Sequence, residues 1–424
     1  MTDRIEITPT GPLHATIRPP GSKSITNRAL ICAALAEGHS LLRGALDSED
    51  TQVMIAALEA LGIELAHDTA ASEIRVAGCG GRLGQQDADL YVANSGTTIR
   101  FLTAMLAACH GRFRLDGIER MRERPIADLL AALGQLGGQA ESETGSGCPP
   151  VVIEASGLWG GHAKISGDIS SQFLSGLLMA CPYAEADVTI EVVGQLVSQP
   201  YVTMTLGVMS AFGIEVETDD ALTRFRVHPG KYRGREYEVE PDASAASYFW
   251  GAAAVTGGDV TVRGLSRKAL QGDVAFCNCL AQMGCEIEHG QDAIRVIGKP
   301  LTGVAVDMNA ISDTVQTLAV VALFAQGPTT IRGVAHIRHK ETDRIGDLAR
   351  ELRKLGADVD ELADGLRITP GDPRPALIET YNDHRMAMSF ALAGLGAPGV
   401  TINDPDCTRK TYPGFFDDLG SLSS

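Results

Sequence analysis

No stretch of this 424-residue chain is apolar over the ~18 residues that a membrane-spanning helix requires; the run from Leu318 to Ala325 is among the longest. The amino terminus, Met1-Thr2-Asp3-Arg4-Ile5-Glu6, carries acids and lacks the apolar core of a secretion signal. A cytoplasmic location and no membrane partner are therefore expected. Cysteine is present but unpatterned: nine residues, an odd number without framework spacing, read as free thiols of a reducing compartment. Cys277, Cys279 and Cys285 cluster without a CxxC pair or a histidine at finger distance, so no metal site is expected. Positive charge is in deficit, with 36 Lys and Arg against 53 Asp and Glu and a net charge of −17, which argues against nucleic acid as a partner. A nucleotide P-loop is missing too, because Ser22 stands where glycine must precede Lys23. Neither a nucleophile elbow with Ser-His-Asp order nor histidines at metal-binding spacing occur. Hydrolysis through an activated serine, metal catalysis and P-loop phosphotransfer are thus set aside, and no cofactor is expected.

What remains is a chain of globular composition, 44% hydrophobic and 21% charged, long enough for two or three domains. One pattern recurs six times along it. A polar cluster opens an Ala-rich helix, a glycine turn leads to a β-branched strand, and a second helix ends near Leu-Gly before further strands. With Ser24, Ser95, Ser170, Ala243, Ser312 and Asp383 as marks, the intervals are 71, 75, 73, 69 and 71 residues. The repeat is βαβαββ-like, giving an α/β (α+β) protein, and six copies divide into two domains of three. The expected division is residues 20–240 against 1–19 with 241–424, joined by a two-strand hinge at Pro19-Pro20-Gly21 and Val239-Glu240-Pro241. The sixth copy is read as cut short after Lys410. If the first helices direct their N-termini into one cleft, six positive helix ends form an anion trap there.

The basic residues gather at these openings. Lys23, Arg28, Arg100, Arg124, Lys340, Arg344, Arg385 and Lys410 each lie in a short Gly/Ser/Thr/Asp-rich stretch near a helix start or turn. An acidic protein that concentrates cations this way is fitted to a small, highly charged anion. The densest stretch is Lys340-Glu341-Thr342-Asp343-Arg344, followed by Ile345, Leu348, Leu352 and Leu355 at helical spacing, which predicts a helix with the charges around its first turn. Glu341, between two cations, is suited to proton transfer beside an anionic substrate. Asp313, in the fifth opening, offers a second carboxylate as a base. Each opening has a plainer reading: Lys23-Ser24, Asn94-Ser95-Gly96-Thr97-Thr98 and Ser170-Ser171-Gln172 are also good helix caps, Asp313 a cap aspartate, and Asp383-His384-Arg385 an ordinary surface triplet.

Taken together the openings resemble the 3-phosphoshikimate 1-carboxyvinyltransferase (5-enolpyruvylshikimate-3-phosphate synthase) family of enolpyruvyl transferases. The motifs are Pro20-Gly21-Ser22-Lys23-Ser24 with Asn27-Arg28, Asn94-Ser95-Gly96-Thr97 with Arg100, Arg122-Glu123-Arg124-Pro125, and Ser170-Ser171-Gln172. They continue as Ser198-Gln199-Pro200-Tyr201, Ser312-Asp313, Lys340-Glu341-Thr342-Asp343-Arg344, Asp383-His384-Arg385 and Cys407-Thr408-Arg409-Lys410-Thr411. The resemblance implies two inverse α/β barrel-like domains around shikimate 3-phosphate and phosphoenolpyruvate, in a monomer. It assigns Lys23, Ser24, Arg28, Ser170, Ser171, Gln172, Ser198, Tyr201, Asp313, His336 and Lys340 to shikimate 3-phosphate. Lys23, Asn94, Gly96, Arg124, Gln172, Arg344, His384, Arg385 and Lys410 fall to phosphoenolpyruvate, and Asp313, Glu341 and Lys23 to catalysis.

Two positions depart from the family pattern. His336 replaces asparagine and is expected to add pH dependence; Phe101 replaces proline and is expected to shift the helix start at Gly96–Arg100. Gly96 is kept, which leaves room beside phosphoenolpyruvate, so competition by glyphosate is expected. The rival readings are the sister carboxyvinyltransferase acting on UDP-N-acetylglucosamine, whose loop cysteine has no counterpart in Gly111–Arg124, and a repeat scaffold that binds anions without turnover.

Overall fold

Helices that are apolar on every side must be enclosed by the rest of the molecule. The computed structural model, which describes residues 3–422, bears this out for the first helix of each repeat. Ala243–Thr256 is buried from Ala243 through Ala254, and His384–Gly396 from His384 through Leu395. Lys23–Leu35, Gly96–Ala107, Ser171–Ala180 and Val315–Val321 are their equivalents. The sheets present one face to these helices and one to solvent. In Val188–Val193, for example, Val188, Ile190 and Val192 are buried while Glu191 and Val193 are exposed. Helices inside and sheets outside make an inverse α/β arrangement.

The chain forms two units, Gly21–Val239 and the described residues on either side of it. In Gly21–Val239 the Gly96–Ala107 helix packs on both Lys23–Leu35 and Ser171–Ala180. Gly176 permits the second contact, since a Cβ there would stand 3.0 Å from the Arg100 carbonyl oxygen. Three four-stranded sheets complete the unit. Two are built alike. Asp87–Tyr91 runs parallel to His110–Asp116, and Gly161–Ser166 parallel to Val188–Val193, each a crossover through the buried helix. An antiparallel pair of strands then finishes each sheet. In the third, the parallel edge strand comes from the end of the unit: Glu236–Glu238 pairs with Glu37–Arg43.

The other unit repeats this plan with a different closure. His14–Ile17 supplies the parallel partner of Asp259–Arg263, and Arg4–Ile7 pairs antiparallel with Val400–Asn403. Its three buried helices pack on one another. Their equivalence is visible at side-chain level: Ser247 Oγ lies 3.0 Å from Thr317 Oγ1, which lies 3.5 Å from Ser389 Oγ, at separations of 70 and 72 residues. The sixth repeat does not stop after Lys410. Beyond the 3-10 turn Pro405–Lys410 comes the helix Phe415–Ser421, and Arg4–Ile7 supplies the strand that its own sequence lacks.

Most predicted helices appear within two or three residues of their expected bounds, with two differences in the fifth repeat. Lys340–Arg344 is not the first turn of a helix. It is a connecting loop after the 3-10 turn Ala335–His339, and the helix runs Gly346–Lys354. The reason is Asp343, whose carboxylate accepts from the backbone N–H of Ile345 and Gly346 at 3.1 Å each and so starts the helix after the charged residues. Asp313, likewise, is not a helix cap but lies inside the 3-10 turn Asn309–Thr314.

Candidate active site

Five of the six openings carry a side chain that caps the buried helix. Ser22 accepts from Ile25 N, Ser95 from Thr98 N, Ser170 from Gln172 N, Asp242 from Ala245 N and Asp383 from Arg385 N. Such caps stabilise by about 1 kcal/mol each. They also fix the backbone from which the functional side chains project.

Burial separates these side chains from ordinary surface charge. Among the described residues five arginines and one lysine are buried: Arg28, Arg100, Arg124, Arg344, Arg385 and Lys410. All six belong to the openings singled out from the sequence. A buried cation is costly unless something compensates it, so each one has a reason to be there.

In Gly21–Val239 the hydrogen-bond partners of Arg28 and Arg124 are neutral groups, so for these two cations the compensation is neutral. Arg28 donates through Nε to Thr205 Oγ1 (2.7 Å), through Nη1 to the Ser24 carbonyl (2.9 Å), and through Nη2 to Ser175 Oγ and the Tyr201 carbonyl (3.2 Å each). The Phe101 and Tyr201 rings lie 5.1 and 5.9 Å from its guanidinium carbon. Burial lowers its pKa to about 10, which leaves it charged at neutral pH. Arg124 donates from Nη1 to the carbonyl (3.0 Å) and side-chain oxygen (3.2 Å) of Asn94. Its Nη2 lies 2.4 Å from where a Cβ on Gly96 would stand, so Gly96 exists to let the guanidinium through. Neither Arg28 nor Arg124 forms an ion pair among the described residues.

Around them, Arg100 donates to Gln172 Oε1 at 2.7 Å and to Ser170 Oγ at 3.5 Å. That bond orients the Gln172 amide so that its NH2 is the group left to donate. Ser171 is buried beside it, and Ser198 begins the Gln199–Ala211 helix with φ at 52°. Lys23, the first residue of its helix, pairs with the buried Asp50 at 3.2 Å. Phe101 does not displace the helix start, which is regular at Gly96; its ring instead packs under Arg28.

In the other unit the compensation is ionic. Arg344 meets Asp383 with two bonds, Nε to Oδ2 at 2.7 Å and Nη2 to Oδ1 at 3.0 Å. It also meets Glu341 Oε2 at 2.8 Å and Asp313 Oδ1 at 3.3 Å. Asp313 Oδ2 lies 2.8 Å from Arg385 Nη2, and Lys410 Nζ 3.6 Å from Glu341 Oε1. Burial works against the charge of Arg344, but Asp383 and Glu341 outweigh it and its pKa is raised. The two cations flanking Glu341 are thus Arg344 and Lys410; Lys340, partly buried, is the residue on which the 3-10 turn Ala335–His339 ends. His336 is buried, and burial together with Lys340 lowers its pKa to about 3, Asp313 only partly opposing. In the folded protein it therefore stays neutral at physiological pH, and its pH dependence is one of stability rather than of charge in the site. His384 is buried with Nδ1 3.7 Å from Asp383 Oδ1.

Asp50 has no place among the candidate residues of the sequence, and Arg100 and Asp383 stand there without the partners that the fold gives them. Asp50, Arg100 and Asp383 hold Lys23, Gln172 and Arg344 respectively. The repeat contained a usable signal. Arg124 reaches Asn94 over 30 residues and Arg344 reaches Asp313 over 31, so the start of a repeat's second helix returns to the start of its first. Asp50 and Lys23 stand in that same relation.

A sequence model of EPSP synthase (3-phosphoshikimate 1-carboxyvinyltransferase) matches residues 7–419. The chain belongs to the EPSP synthase family. Among its family relatives, the 3-phosphoshikimate 1-carboxyvinyltransferase of Trichormus variabilis is 50% identical over 408 residues, covering 96% of this chain and 95% of that protein. The chloroplastic enzyme of Arabidopsis thaliana is 47% identical over 439 residues, covering 99% and 84%. The solved structure of EPSP synthase from Acinetobacter baumannii superimposes with a TM-score of 0.83 at 27% identity, over 99% of this chain and 98% of that one. Like the fold of that EPSP synthase, the present one is mixed α/β.

Two absences hold among the described residues: no group of three or more His, Cys, Asp or Glu is placed to hold a metal ion, and no helix is long and apolar enough to cross a membrane.

Proposed function

We propose that this chain transfers the enolpyruvyl group of phosphoenolpyruvate to the 5-hydroxyl of shikimate 3-phosphate and releases phosphate. The observation that supports it most is the contrast between two buried arginines with neutral partners and two carboxylates set among cations. Arg28 and Arg124 are buried cations held by neutral acceptors only, which suits them to receive anionic groups of a substrate. Asp313 and Glu341 are carboxylates set among cations, and neither adds to anion binding; they suit proton transfer.

The chemistry is an addition followed by an elimination. The methylene carbon of phosphoenolpyruvate gains a proton and its central carbon becomes electrophilic. The 5-oxygen of shikimate 3-phosphate, losing its proton to Asp313, bonds to that carbon. The bond from the carbon to the phosphate oxygen then breaks, phosphate leaves, and a methyl proton is lost to restore the double bond. Glu341, with Lys23, handles the proton at carbon. Lys23, Asn94, Gly96, Arg124, Gln172, Arg344, His384, Arg385 and Lys410 hold phosphoenolpyruvate. Lys23, Ser24, Arg28, Ser170, Ser171, Gln172, Ser198, Tyr201, Asp313, His336 and Lys340 hold shikimate 3-phosphate. Cations fixed before the reaction begins need no reorganisation as charge develops, the usual source of a large share of enzymatic rate. His336, neutral, serves as a hydrogen-bonding group in the manner of an amide.

The test is product identity. The protein is incubated with phosphoenolpyruvate and either shikimate 3-phosphate or UDP-N-acetylglucosamine, and the vinyl protons of the enol ether are followed by NMR. Formation with shikimate 3-phosphate alone is expected. Formation only with the nucleotide sugar, or with neither acceptor, would overturn the assignment.

A further inference from the structure

The charged loop Lys340–Arg344 and the turn before His384–Gly396 carry the ion-paired cluster of their unit, yet each is irregular backbone. Tyr381 and Asn382, which lead into Asp383, have φ of 54° and 53°. Two consecutive side chains in the left-handed region, one of them a tyrosine, persist only where their surroundings hold them. What holds Tyr381 is the Gly346–Lys354 helix. Glu351, wholly buried, accepts from Tyr381 Oη at 2.6 Å, from Glu379 N at 3.0 Å and from Lys354 Nζ at 2.6 Å. One turn earlier, Asp347 accepts from the Thr342 hydroxyl, in the middle of the charged loop. Arg350 joins the two, donating to Asp347 Oδ1 and to Tyr381 Oη, with its guanidinium carbon 5.6 Å from the tyrosine ring centre.

We infer that the chain Thr342–Asp347–Arg350–Tyr381–Glu351 is a strut that sets the Glu341–Arg344 loop against the Asp383–Arg385 turn, and that Tyr381 and Glu351 are positioning residues for phosphoenolpyruvate. The inference rests on the functional reading above, which gives Arg344 and Arg385 to that substrate. Neither Tyr381 nor Glu351 bonds directly to Arg344, Arg385, Asp313 or Lys410. Their influence passes through Asp383, whose carboxylate orients Arg344 by two bonds and accepts from the Arg385 backbone at 2.9 Å.

The test is Tyr381→Phe, which removes one hydroxyl and keeps the ring, with Glu351→Gln as a second variant. For Tyr381→Phe the expected result is a KM for phosphoenolpyruvate raised about tenfold, the scale of a small misplacement of binding groups. The KM for shikimate 3-phosphate should stay within about twofold by the same reasoning. Asn382→Gly, which keeps the left-handed backbone without strain, should retain wild-type kinetics. Equal changes in both KM values, or a lowered melting temperature with unchanged kinetics, would overturn the strut. A wild-type protein with no turnover would defeat the functional reading instead. The strut is then judged by the crystal structure of Tyr381→Phe: loss of the double Arg344–Asp383 contact supports it, and an unmoved turn refutes it.

Discussion

Asp383→Asn is the most informative single change in the ion-paired cluster around Arg344. Asp383 is fully buried and Arg344 is 2% exposed, so solvent does not screen their interaction. The substitution keeps the shape of the side chain and its helix-capping oxygen, since Asn caps about as well as Asp. It removes the charge and turns one of the two acceptors facing Arg344 into a donor. A hydrogen bond to a charged group contributes about 1.5–3 kcal/mol, and Arg344 retains Glu341 at 2.8 Å and Asp313 at 3.3 Å as counter-charges. The loss should therefore fall near 2 kcal/mol, below the ~3–5 kcal/mol of a buried charge left wholly unpaired. Expressed through misplacement of Arg344, this is a fall in kcat/KM for phosphoenolpyruvate of about ten- to a hundredfold. Expressed as stability, it is a drop of about 4–8 °C in the melting temperature of a unit of roughly 200 residues. Steady-state kinetics at saturating shikimate 3-phosphate, with thermal unfolding of the same preparation, measures both. Asp383→Ala, which also loses the cap, should be worse on both counts. A variant Asp383→Asn with wild-type kcat/KM and an unchanged melting temperature would refute the reasoning, because it would mean that Arg344 needs no partner.

Gly96→Ala would place a methyl group 2.4 Å from Arg124 Nη2 and 2.8 Å from its Cζ, forcing the guanidinium off Asn94. The KM for phosphoenolpyruvate should rise by tenfold or more, from about 1.5–3 kcal/mol per charged hydrogen bond, and an unchanged KM would show that Arg124 is not at that substrate. His336, with its folded pKa depressed from 6.5 to about 3, contributes stability that is full above pH 6.5 and is lost as pH falls toward 3. Between pH 7 and 5 the protein should lose about 2 kcal/mol more than His336→Asn does, measured by denaturant unfolding; parallel losses would contradict a buried neutral imidazole. Glyphosate should compete with phosphoenolpyruvate, so inhibition that excess phosphoenolpyruvate fails to relieve would contradict a shared site.

The repeat is legible because five of the six buried helices are announced by a capping Ser or Asp at a near-constant interval. Ser22, Ser95, Ser170, Asp242 and Asp383 act as those caps. The fifth opening was not legible in the same way. Its first helix follows a 3-10 turn without a capping side chain, and Asp343 starts its second helix later than the apolar spacing suggests. Periodicity identifies a buried face but does not say which acid will bond to the first free N–H groups. The set of cations was legible from their neighbours in sequence, but their partners were not. Arg28 meets Thr205 over 177 residues and Ser175 over 147, distances at which only the fold can bring groups together. For His336 the sequence shows an ionisable ring, while burial and Lys340 beside it lower its pKa and keep it neutral in the fold. Tyr381 and Asn382 gave no sign of their left-handed backbone, which depends on Glu351 thirty residues earlier for Tyr381.

The central claim is tested most directly by phosphate release from phosphoenolpyruvate, with and without shikimate 3-phosphate and with no metal or nucleotide added. The account predicts release that requires shikimate 3-phosphate and that falls by about a hundredfold or more in Asp313→Ala, the usual scale for losing a general base. Release that proceeds without the acceptor, or that survives Asp313→Ala undiminished, would contradict it.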